Sequence, residues 1–81
     1  MTRKQFKAEV VADLEYQLEH KGKDWTSEHW YLSDVLYPVR RSEKIVAINE
    51  LIKEGEIVRI PASRLFHQYS DADFPVLLLN H

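Results

Sequence analysis

The sequence predicts an α+β domain, three helices followed by a two-stranded antiparallel β-hairpin. Three observations predict it. Apolar residues recur at helical spacing through the first two-thirds of the chain, the pattern turns β-branched after Gly55, and only "PVRR" separates the last two helical stretches. The chain has 81 residues, and a domain of this size buries only about 60% of its unfolded surface, so residues 1–81 are read as one domain with one core.

The first helix begins near Arg3, because Thr2 followed three residues later by Gln5 makes a capping box that satisfies orphan backbone donors. Phe6, Val10, Leu14 and Leu18 recur every fourth residue with Val11 beside them, and Lys7, Glu9, Asp13 and Glu19 take the other faces. The stripe ends near His20, and Gly22 is available as a left-handed stop. In "DWTSEHWYLSDVLYP", Thr26 or Ser27 caps a second helix whose apolar side carries Trp30, Leu32, Val35 and Leu36, and Pro38 closes it. The strand formers in "HWYL" permit another reading, a short strand and then a helix from Ser33 and Asp34. The third helix takes Ser42 as N-cap and Glu43 in its first turn, with Ile45, Ile48, Leu51 and Ile52 as one apolar stripe, and stops at Gly55.

After Gly55, "EIVRI" reads as a strand ended by Pro61, and "VLLLN" near the C-terminus is its antiparallel partner. The intervening "PASRLFHQYSDADFP" is longer than a usual hairpin loop, so it is either a projection or holds an extra turn around "RLFHQY". As an inner strand "PVLLLN" needs no further account. As an edge strand its three consecutive leucines would invite pairing with a second copy, which makes a homodimer the alternative to burial.

Helix, helix, turn, helix and hairpin is the order of a winged-helix domain, and the chain resembles that superfamily most at "RRSEKIVAINELIKEGEIVRI", where Leu51, Lys53, Glu54 and Gly55 precede the apolar Ile57 and Val58. The resemblance covers nearly the whole chain as architecture and is specific across residues 33 to 60. It implies a small DNA-binding protein of the transcriptional-regulator type, with the third helix in the major groove of double-stranded DNA and the hairpin wing on the backbone. By the same resemblance the exposed candidates are Arg40, Arg41, Lys44, Ala47 and Lys53, with Arg64 and His67 on the wing. Arg40 and Arg41 precede the N-cap, where free backbone donors also favour phosphate, and form a candidate clamp. Lys44 would meet a base edge or a phosphate, whereas Asn49, near the isoleucine stripe, is expected to be half buried.

Charge bears against this function. The net charge is −2, so the basic footprint of a nucleic-acid binder is missing, and Glu43 and Glu50 lie on the presumed reading helix. A winged helix that serves as a protein-interaction module is therefore the alternative, its surface drawn from the acidic segment Asp24 to Asp34, the tryptophans and the wing. Trp25, Trp30, Tyr31 and Tyr37 are more simply core residues of a small domain than a stacking platform.

Enzymatic chemistry finds no support. The chain has no cysteine, which removes disulfides and thiolate chemistry. His20, His29, His67 and His81 form no pair at i, i+4, and a metal site built from His67, Asp71 and Asp73 is the weak exception. Ser27 and His29 diverge on any helix, and two glycines make no phosphate-cradling loop. No catalytic residue, metal or cofactor is expected. The longest apolar run, "PVLLL", is far too short to cross a bilayer, so no membrane association and a cytoplasmic location are the default expectations.

Overall fold

The fold, taken from a computed structural model, is described for residues 1–33, 36–66 and 73–80. Asp34, Val35, His67, Asp71 and His81, each given a role above, lie outside the described residues.

The first helix, α1 (Arg3–Lys21), starts and stops where its sequence signals lie. The Thr2 hydroxyl accepts from the Gln5 amide at 3.1 Å, and the Gln5 side chain accepts from the Thr2 amide at 2.8 Å, closing the capping box. Gly22 ends the helix in the left-handed region, φ 63°. Phe6, Val10 and Leu14 of this helix are buried.

The next segment departs from the one-helix expectation. Trp25–Ser27 form a short strand, β1, and only Glu28–Leu32 are helical, as α2. "HWYL" is thus helical, and the strand precedes it. Eight residues, 33–40, then lead to α3 (Arg41–Lys53), so the link is longer than "PVRR". The N-cap of α3 is Arg40, with no side-chain cap bond, and Ser42 lies inside the first turn. The buried stripe of α3 is Lys44, Ala47, Ile48 and Leu51, while Ile45, expected in the core, is 42% exposed.

A Schellman motif closes α3: the Gly55 amide donates to the Ile52 carbonyl at 3.1 Å and the Glu56 amide to the Leu51 carbonyl at 3.0 Å. Gly55 adopts φ 79°, which only glycine takes without strain. The chain then enters β2 (Ile57–Pro61), a 3-10 turn at Ala62–Arg64, and β3 (Pro75–Leu79).

The sheet has three strands in the order β1-β3-β2, all antiparallel, rather than the two expected. β3 is the central strand and not an edge, so its leucines are not placed to pair with a second copy. Thr26 pairs with Leu77, and Ile57 with Leu79. Because side chains alternate across a strand, these residues face the helices, where Phe6, Val10, Leu14, Tyr31, Leu32, Ala47, Ile48, Leu51, Ile57 and Leu77 make one core. On the opposite face the turn after β2 folds back, burying Ala62 and Val76 completely and setting Phe66 edge-on to Trp25 at 5.0 Å. Among the described residues, no helix is long and apolar enough to cross a membrane.

Candidate functional site

The open surface of α3 consists of Arg41, Ser42, Ile45, Val46, Asn49 and Lys53, all exposed, with Arg40 exposed at its amino end. The acids of this helix lie on its flank toward α1. The Arg3 guanidinium donates through Nε to Glu43 Oε2 at 2.7 Å and lies 3.6 Å, through Nη1, from Glu50 Oε1. Glu50 Oε1 is itself shielded from solvent and makes no hydrogen bond, but the Glu50 side chain is 39% exposed, so water as well as this longer ion pair meets its charge. The hydrogen bond from Arg3, with its charge, holds the Glu43 carboxyl below the usual carboxylate range. Beyond the helix end, Lys7 Nζ lies 2.8 Å from Glu54 Oε1.

Among the described residues Arg40 and Arg41 make no close ion pair, although Arg40 is near enough to Glu43 for its charge to help lower that carboxyl's pKa. They stand together at the start of α3, whereas Lys53 is twelve residues farther on, about 18 Å away at 1.5 Å per residue. Arg64 is exposed on the 3-10 turn. Nearby, Asp73 Oδ1 accepts from the Ser63 hydroxyl at 2.9 Å, which ties the return strand to that turn.

Lys44 and Ala47 correct the sequence reading, since both are fully buried. The Lys44 ammonium donates to the Ser33 carbonyl at 2.7 Å, holding the connection before α3 against the helix, and is not on the surface. Asn49 corrects it in the other direction, being exposed. Its Oδ1 accepts from Arg59 Nη2 at 3.0 Å, and Arg59 Nε in turn donates to Glu28 Oε1 at 2.7 Å. This chain ties α2, β2 and α3 together. Arg59 was not singled out in the sequence. Its signal would have been the alternation in "IVRI", which puts a charged residue on the same strand face as Ile57.

The aromatics divide. Tyr31 is fully buried, Trp25 and Tyr37 are half-buried, and Trp30 is 48% exposed. The Tyr31 hydroxyl donates to Asp13 Oδ2 at 2.7 Å, Gln17 Nε2 donates to the same oxygen at 2.7 Å, and Gln17 Oε1 accepts from the Thr26 hydroxyl at 3.2 Å. Burial, with the bond to Asp13, raises the Tyr31 hydroxyl far above its ordinary pKa. Among the described residues no three His, Asp or Glu side chains lie together as metal ligands. Comparison with family models, with curated proteins and with solved structures finds no match to this chain.

Proposed function

We propose that the chain is a winged-helix domain that binds duplex DNA through α3. The observation that carries this reading is the disposition of charge on that helix. Glu43 and Glu50, the residues that weigh against DNA in the sequence, are engaged by Arg3 on the α1 flank, and the open face carries Arg41, Ser42, Asn49 and Lys53 with no carboxylate. The element order α1-β1-α2-α3-β2-β3, with β1 beside β3, suits the same architecture. Arg40 and Arg41 hold phosphates at the amino end of α3, Lys53 meets the backbone at its other end, and Arg64 touches flanking phosphate from the turn after β2. Lys44 takes no part, because its ammonium is spent inside the protein.

Affinity for random-sequence duplex, measured as salt is raised, tests the reading. It should fall steeply, because each neutralised phosphate releases a counterion. Replacing Arg40 and Arg41 together by alanine should remove roughly two units from the slope of log affinity against log salt. No binding at low salt, or an unchanged slope in the double variant, overturns it.

A second reading is a protein-interaction module, favoured by Ile45 and Val46, which are 42% and 41% exposed on the same helix. Under that reading the Ile45→Ser, Val46→Ser variant loses a protein partner and the Arg40, Arg41 variant does not.

A further inference from the structure

A cleft of about 680 Å³ opens where the carboxyl end of α1, β1 and the start of α2 meet. Its volume lies within the roughly 300–1,000 Å³ of small-molecule sites. Among the described residues its lining includes the aromatic side chains Trp25, Trp30 and Phe74, the charged Lys21 and Lys23, and His29. Asp24 and Glu28, close in sequence, do not line it, and Glu28 is engaged by Arg59.

Two features separate this cleft from ordinary surface. Trp30 is 48% exposed, although burial of so large an aromatic side chain is strongly favourable. The floor is also already satisfied: Gln17 is held between Asp13 and Thr26, at 2.7 and 3.2 Å, so it is fixed before any ligand arrives. The lining thus combines the exposed Trp30 with two lysines, Lys21 and Lys23. The Lys23 ammonium sits 4.4 Å from the centre of the Trp25 ring, which places positive charge directly against an aromatic wall.

We propose that this cleft binds a small planar aromatic anion, its ring stacked on the indole of Trp30 and its negative group held between Lys21 and Lys23. Among the described residues that line the cleft there is no carboxylate, and the lysines alone carry a permanent charge, so the charge of this lining is one-sided. An aromatic carboxylate and a mononucleotide both supply this chemistry. The inference does not depend on the DNA reading, because none of its residues belongs to α3.

The chain has two tryptophans and both line the cleft, so their indole N–H signals in a nitrogen–proton correlation spectrum report on this site. The full chain is titrated with naphthoate and, separately, with adenosine monophosphate. Naphthalenemethanol supplies a ring without charge, and acetate a charge without a ring. At least one of the aromatic anions should move both indole signals saturably, and the tighter of the two identifies the source. Binding should weaken at least about tenfold in a Lys21→Gln, Lys23→Gln variant, and naphthalenemethanol should bind the parent at least about tenfold more weakly than naphthoate if naphthoate is the ligand. Both lysines lie outside the core, and circular dichroism of the variant verifies its fold. The proposal is overturned if neither anion moves the signals at about 5 mM, where the affinity would be no better than millimolar. It is equally overturned if the uncharged alcohol binds as tightly as the anions, or if the double variant binds them as the parent does.

Discussion

The hydrocarbon stem of Lys44 lies in the core beside Ala47 and Ile48, and its ammonium holds the Ser33 carbonyl. Replacing it by alanine removes the stem and that hydrogen bond together, and the expected cost is about 2–4 kcal/mol, read from urea unfolding. Lys44→Met keeps most of the volume and should cost less than half of that. Neither variant should change the salt slope of DNA binding while it remains folded. The position was misread because a lysine is assigned to water by default, which shifts the apparent stripe by one residue: with Lys44 included, residues 44, 47, 48 and 51 have the i, i+3, i+4, i+7 spacing of a buried face. Tyr31 carries a pH-dependent prediction. Its hydroxyl is raised above the ordinary 10.0 by burial and by Asp13, so its contribution is complete below that value. It is lost as pH rises further, where the unfolded chain ionises and the folded chain does not. Tyr31→Phe should therefore cost about 1–2 kcal/mol near neutrality and should show a shallower loss of stability in alkaline solution than the parent.

At the scale of elements, local chemistry and the antiparallel pairing of β2 with β3 were legible, and the pairing of β1 was not. The start and stop of α1 follow from Thr2, Gln5 and Gly22, residues whose effect is exerted within one helical turn. Thr2→Ala should cost about 1 kcal/mol in thermal or urea unfolding. Gly22→Ala meets no neighbouring atom, so its cost is backbone strain alone at φ +63°, about 1 kcal/mol. A loss of 3 kcal/mol or more at Gly22 would contradict the open surroundings of that glycine. By contrast β1 is a strand because Thr26 lies opposite Leu77, 51 positions later. A three-residue segment has too little alternation to announce such a partner, and α2, at five residues, is shorter than two helical turns. The missed strand and the overlong second helix are one error with this one cause. The central place of β3 follows from the same pairing, which converts "PVLLL" from an exposed edge to the middle of the sheet.

For the whole molecule, a net charge of −2 says little about any one face, because ion pairs between elements redistribute it. Composition lists Glu43 and Glu50 beside Arg41 and Lys53, and only the packing of α1 against α3 brings Arg3 to the two acids. The candidate arginines were legible as a local cluster, but the pairing of Arg3 with Glu43 that offsets the nearest acid was not, since it joins residues 40 positions apart. Arg3 therefore tests the arrangement from a position outside the open face of α3. Exposed ion pairs contribute little to folding, so Arg3→Ala should leave stability nearly unchanged. It should nevertheless release two carboxylates beside the proposed interface and weaken binding to duplex DNA by about threefold to tenfold at low salt. The difference should shrink as salt rises and screening reaches the distance between those acids and the phosphates. Equal affinity of parent and variant at every salt concentration would mean that the acids of α3 do not face a polyanion. The exposed Ile45 and Val46 would then remain as the reason for that face to be open, and the interaction-module reading would take precedence.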